Sequence, residues 1–251
     1  MTSDIEVRVV DDPDAVMQAG AAEVVAMAEQ SVAERGRFVL VLSGGKTPQP
    51  LHRLLATTYR DRIDWAHTHV WFGDERCVMA DDAASNYGMA RASLLDHVGI
   101  PPEQVHPLPG GMLPGQAALQ AEDALRAFAD AVGEGPLFDV VMLGAGPDGH
   151  TASLFPDGRA LLAQDRLIVS TTAPERFEVR DRLTMTLPVL GSSRLVLMLA
   201  TGADKRNALK AAYEEGELPV GRVRGRERTI WIVDRAAWSD EPTEMRAARR
   251  G

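Results

Sequence analysis

Strand-like apolar runs alternate with helix-like stretches along most of the chain, and this alternation limits the fold more than any other feature. "IEVRVV" (5–10), "RFVLVLS" (37–43), "EQVHPL" (103–108), "LFDVVMLG" (137–144), "RLIVSTT" (166–172), "RLVLMLA" (194–200) and "RTIWIVD" (228–234) read as strands. "THVWFGDER" (68–76) reads as a strand and the loop after it. Between them, 13–35, 50–59, 85–98, 115–132 and 202–216 have helical patterning, with a stop near Gly36 and a Ser/Asn cap at 85–86. Strands that alternate with helices predict an α/β fold: a mostly parallel sheet with helices on both faces. In such sheets a ligand sits beyond the carboxyl ends of the strands. The loops of interest are therefore "SGGKTP", "GDER" and "GAGPDGH", each of which directly follows a strand.

The third loop, in "DVVMLGAGPDGHTASLFP" (139–156), has a G-x-G-x-x-G spacing at Gly144, Gly146 and Gly149. A dinucleotide-binding turn needs those glycines to open a helix. Here "FPDG" leaves room for only a short turn, and Asp148 would repel a pyrophosphate. The side chains allow two other readings. A carboxylate near an imidazole fixes its tautomer and raises its basicity, which makes Asp148 and His150 a general-base pair. Alternatively, Asp148 caps its own loop beside a histidine bonded to backbone. Two further loops favour chemistry. Ser43, Gly44, Gly45 and Thr47 offer bare N–H groups and hydroxyls ahead of a helix, the elements of an anion cradle. The spacing is neither a Walker P-loop nor a nucleophile elbow. Asp74, Glu75 and Arg76 place acids and a cation after a buried strand. Together the three loops suit a small phosphorylated metabolite.

Composition narrows the class further. A net charge of −9 argues against general nucleic-acid binding, so a few placed cations must attract an anionic ligand. No uncharged apolar run is long enough to span a membrane, and the N-terminal stretch lacks the pattern of a signal peptide. The single cysteine, Cys77, excludes an internal disulfide framework and fits a reducing cytoplasm; it reads as a small buried hydrophobe. His67 and His69 form an H-x-H without a visible third ligand, so no metal is expected. His52, His97 and His106 show no partner in the sequence. "GRVRGRER" (221–228) reads as a solvated basic loop or a rim that attracts an anion, and "EPTEMRAARRG" (241–251) as a frayed tail.

The segments "LSGGKTP", "WFGDERCV", "SNYGMAR", "GAGPDGHTASLFP", "RLTMTLPVL" and "TGADKRNAL" resemble the 6-phosphogluconolactonase family, in family order across nearly the whole chain. That family belongs to a wider group that includes the glucosamine-6-phosphate deaminases. The resemblance implies one modified Rossmann-like α/β domain over 1–251 and no organic cofactor or required metal; beside it, a monomer and a cytoplasmic location are expected. It implies a phosphorylated sugar lactone as ligand and hydrolysis of 6-phospho-D-glucono-1,5-lactone in the pentose phosphate pathway. On this basis His150 is the general base, oriented by Asp148. Arg76 meets carbonyl or ring oxygens, with Asp74 positioning it or binding hydroxyls. The phosphate sits on Ser43, Gly44, Gly45 and Thr47, with Arg182 and Lys205 supplying charge; Arg182 has neighbours at Arg176 and Arg180, and an offset to one of them, Arg180 above all, is the alternative. The deaminases carry a glutamate in D-G-H-I-A-F-N-E-P where this chain has Phe155. Phenylalanine cannot shuttle protons on carbon, which disfavours the deaminase reading. A sensor that only binds sugar phosphate would not need a base.

Overall fold

The computed structural model describes residues 4–45 and 47–238; the proposed tail over 241–251 lies outside the described residues. The apolar runs form a parallel sheet. Its strands are β1 (Ile5–Val10), β2 (Phe38–Leu42), β3 (Thr68–Phe72), β5 (Val105–His106), β6 (Val140–Gly144), β9 (Leu195–Ala200) and β10 (Arg228–Asp234). They lie in the order β1-β10-β9-β6-β2-β3-β5. A second sheet, antiparallel, contains β4 (Asp74–Arg76), β7 (Ile168–Thr172) and β8 (Asp181–Met185) in the order β4-β8-β7.

This second sheet departs from the sequence reading. "GDER", expected as a loop, contributes a three-residue strand, and 166–172 leaves the parallel sheet. "DRLTM" carried no strand expectation, yet it forms β8. β4 is too short to show a period of its own, and its strand conformation comes from partners supplied by β8 more than a hundred residues later.

The helices are α1 (Pro13–Arg35), α2 (Gln49–Ala56), α3 (Asn86–Ser93), α4 (Pro114–Val132), α5 (Leu187–Leu190), α6 (Arg206–Glu214), α7 (Pro219–Arg222) and α8 (Arg235–Trp238). Asp12 opens α1 by accepting from the Ala15 amide at 2.9 Å, with Pro13 in the first turn. The two faces of the sheet follow from the strand pleat. Leu199 of β9 meets α1 where Gly20 approaches it, and Leu51 of α2 lies there too. Phe72 of β3 packs edge-on to Tyr87 of α3 on that same face. One residue along each strand, the direction reverses: Trp71 meets Phe128 of α4, and Trp231 meets Tyr213 of α6. The sheet is therefore covered on both sides, with Trp71, Trp231, Phe38, Phe72 and Phe138 fully buried.

The strand order also locates the crevice. From β2 the chain builds outward through β3 to β5. From β6 it builds the other way, through β9 to β10. The direction reverses between β2 and β6, and in such sheets the crevice lies at the carboxyl ends of the strands flanking that reversal. Those two strands lead into "SGGKTP" and "GAGPDGH".

Candidate active site

The loop after β6 closes on itself. The Gly146 amide donates to the His150 carbonyl at 2.8 Å, the Gly149 amide to the Gly146 carbonyl at 3.0 Å, and the Thr151 hydroxyl to the Gly144 carbonyl at 2.8 Å. Inside this turn His150 Nδ1 lies 2.5 Å from Asp148 Oδ1. With the carboxylate accepting, the proton is on Nδ1, which leaves Nε2 as the free ring nitrogen. Burial works against the Asp148 carboxylate, but its bonds to His150 outweigh that and hold its carboxyl below the usual range. A Cβ on Gly146 would lie 2.0 Å from His150 Nδ1, so only glycine leaves room for the ring. The ring also packs against Phe155 and Phe177, with centroids 4.9 and 5.7 Å away.

His150 faces a cleft of about 370 Å³ together with Ser43, Thr47, Asp74, Arg176, Phe177 and Lys205. A second hollow of about 390 Å³ is lined by Gly45, Arg76, Ser85 and Arg182, among others. The loop after β2 thus has Ser43 and Thr47 facing one hollow and Gly45 facing the other. Lys205 lines the first and Arg182 the second.

Arg76 and Arg182 are register partners across β4 and β8. Among the described residues neither has a salt bridge to a carboxylate, and the buried Arg182 Nε has no hydrogen-bond partner. Burial, and then the neighbouring Arg76 cation, lower the pKa of Arg182. Two like charges with unspent donors make a ready anion site. Arg180 is exposed, and its Nε donates to the Ala173 carbonyl at 3.0 Å. Of the three neighbouring arginines, Arg182 lines the second hollow and Arg176 the first.

Asp74 faces the His150 cleft but is not bonded to Arg76. Its Oδ2 accepts from the Ser153 hydroxyl at 2.6 Å, and its Oδ1 and backbone carbonyl accept from Asn86 Nδ2 at 3.2 and 2.8 Å. Asn86 also fills the space beneath the glycine loop, since a Cβ on Gly44 would fall 1.8 Å from Asn86 Oδ1. Glu75 caps α3 by accepting from the amides of Asn86 and Tyr87 at 2.7 and 2.8 Å. Burial pushes its carboxyl up despite those bonds. Asn86, Ser153 and Phe177 carry no site role in the sequence reading, and Arg176 enters it only as a neighbour of Arg182. Asn86 lies within "SNYGMAR" and Ser153 within "GAGPDGHTASLFP"; the placement of Arg176 and Phe177 depends on contacts between distant segments.

The remaining histidines have structural partners. His52 is fully buried, with Nδ1 at 3.1 Å from Ser93 Oγ. His97 Nε2 lies 2.9 Å from the Ala92 carbonyl. His67 meets Asp64, and His69 meets His106, which stacks on Trp71. Among the described residues no three His, Cys, Asp or Glu side chains gather as metal ligands. No described helix is long and apolar enough to cross a membrane. Cys77 is half-buried, and burial pushes its thiol up to about 11, as for an unreactive cysteine. In the basic stretch, Pro219–Arg222 is the helical turn α7, and Arg222 and Arg224 line a separate hollow with Gln164 and Pro188.

The family model for glucosamine-6-phosphate isomerases/6-phosphogluconolactonase matches residues 11–231. A 6-phosphogluconolactonase of Synechocystis is 39% identical over 83% of this chain and 86% of its own length. One from Mycobacterium tuberculosis is 37% identical over 97% of this chain and all of its own length. The crystal structure of a 6-phosphogluconolactonase from Thermotoga maritima superposes with a TM-score of 0.81 at 28% identity, covering 92% of this chain and 99% of that one. A monomeric glucosamine-6-phosphate deaminase shares the fold, with a TM-score of 0.77 at 18% identity and coverage of 94% of this chain and 98% of that one.

Proposed function

The chain belongs to the glucosamine-6-phosphate isomerase/6-phosphogluconolactonase family, and on that premise we propose that it hydrolyses 6-phospho-D-glucono-1,5-lactone to 6-phospho-D-gluconate, a step of the pentose phosphate pathway. The observation that carries this reading is the 2.5 Å Asp148–His150 contact at the reversal point of the sheet. Phe155, in place of a carboxylate, packs on that imidazole and supports hydrolysis over ring-opening chemistry on carbon.

A lactone is an activated ester, so the machinery is small. His150 Nε2 takes a proton from water as the water oxygen attacks the lactone carbonyl. Asp148 steadies the resulting imidazolium through Nδ1. Positioned N–H groups of the glycine loops and Arg76 stabilise the tetrahedral oxyanion. Collapse breaks the bond between the carbonyl carbon and the ring oxygen, and His150 returns the proton to that oxygen. One water is added, and the new carboxylic acid ionises. The phosphate rests on the Ser43, Gly44, Gly45 and Thr47 loop. Lys205 approaches as a point charge and Arg182 as a two-pronged donor from the other hollow. Asp74 holds Ser153 and Asn86 and offers a cleft-facing carboxylate to the sugar hydroxyls.

The test is the rate of 6-phosphogluconate formation from freshly generated lactone, followed through a coupled dehydrogenase with chelator present. A large acceleration over the spontaneous reaction supports the proposal. No acceleration by folded protein overturns it, and ammonia release from glucosamine 6-phosphate then tests the other activity in the family name.

A further inference from the structure

Arg176 lies outside the six segments that carry the family resemblance. It is carried by the turn between β7 and β8, which belongs to the second sheet. The turn is closed by the Ala173 amide on the Arg180 carbonyl at 2.8 Å and by the Phe177 amide on the Pro174 carbonyl at 3.0 Å. From this turn Arg176 Nη2 donates to Asp148 Oδ2, while Asp148 Oδ1 engages His150. The guanidinium also lies over the Phe177 ring, 4.9 Å from its centroid, and that ring stands edge-on to His150 at an interplanar angle of 83°. Lys205, also lining the cleft, is paired with Asp204 at 2.9 Å. Among the described residues Arg176 is thus the arginine or lysine bonded to the Asp148 carboxylate.

We infer that Arg176 is a positioning residue: it clamps the Asp148 carboxylate so that Oδ1 stays on His150 Nδ1 and Nε2 remains the bare nitrogen facing substrate. This rests on the lactonase reading and extends it. A carboxylate held at only one oxygen can rotate about its terminal torsion, because that torsion is broad. Arg176 ties down the second oxygen. Phe177 holds both the guanidinium and the imidazole, so the second sheet sets the orientation of a pair carried by the first. The clamp acts through Asp148 and His150 and requires no contact between Arg176 and substrate.

The experiment compares R176A and R176K with the wild type in two ways. Arg176 has a side chain 51% exposed, so its removal leaves the core intact. In the kinetic arm, R176A lowers kcat about tenfold, as expected for one lost charge-assisted bond, while KM stays within about twofold; R176K recovers most of the loss. In the spectroscopic arm, ¹⁵N NMR of histidine-labelled protein reports the His150 tautomer without substrate. The wild type shows a protonated Nδ1 and a bare Nε2, R176A moves toward a mixture, and R176K restores the wild-type pattern. An unchanged tautomer in R176A overturns the clamp, as does unchanged kcat. A raised KM at constant kcat also overturns it, making Arg176 a substrate contact instead. If the wild type fails to accelerate lactone hydrolysis, the lactonase reading fails, and the spectra alone decide the clamp.

Discussion

Ser153 Oγ donates a 2.6 Å hydrogen bond to Asp74 Oδ2, which joins the loop after β6 to the short strand after β3. Both residues are buried. Removing the hydroxyl leaves a buried carboxylate oxygen short of a donor. S153A is expected to lose about 1.5–3 kcal/mol of stability and to turn over more slowly as the His150 loop loosens. Urea denaturation and kcat measured on the same preparation check this. Wild-type values for both would mean that another donor replaces Ser153.

His150 is the proposed base, and its side chain is largely shielded but outside the main core. H150A is expected to lose about 10²–10⁴ in kcat with little change in Tm. The coupled assay must be read above the spontaneous rate. Near wild-type turnover would remove His150 from the chemistry.

Gly146 tests the same pair without touching either member. An alanine methyl there would lie 2.0 Å from His150 Nδ1 and 2.6 Å from Asp148 Oδ1. The imidazole must swing away, so G146A is expected to lose at least about tenfold in kcat while keeping its far-UV circular dichroism. A crystal structure of G146A with the pair still in contact would contradict this account.

Lys205 is proposed to meet the phosphate. K205A is expected to raise KM for the phosphorylated lactone about 10- to 100-fold, the size of a lost charge-assisted contact. The unphosphorylated lactone should be affected far less. Equal losses for both substrates would place Lys205 at the lactone end.

His52 should make stability depend on pH. Burial lowers its pKa from 6.5 to about 4. Below about pH 6.5 the unfolded chain binds a proton that the folded chain refuses, so stability falls as pH drops toward 4 and levels off above the unfolded value. The full window amounts to roughly 3 kcal/mol. His106, lowered by burial to about 4, acts in the same sense. Glu75, whose carboxyl is pushed up by burial, acts in the opposite sense. Urea unfolding between about pH 5.5 and 7 spans the titration of the unfolded imidazole. H52L should reduce the slope there; an unchanged slope would exclude His52 as its source.

The sequence by itself determined what neighbouring residues can decide. Most strands of the parallel sheet were legible because they are short apolar runs followed by a helix or a tight turn. The Asp148–His150 pair was legible because its members are two residues apart on one glycine-bearing turn. The glycine loop proposed to hold the phosphate was legible because bare amides and hydroxyls follow a buried strand. The tertiary structure alone decided the second sheet, because β4 and β8 take their backbone partners from each other across more than a hundred residues. That pairing set Arg76 beside Arg182 and carried Arg176 and Phe177 onto the His150 loop. It also left Asp74 bonded to Ser153 and Asn86 in place of Arg76. Such contacts depend on strand register and chain crossings, and local composition does not encode them.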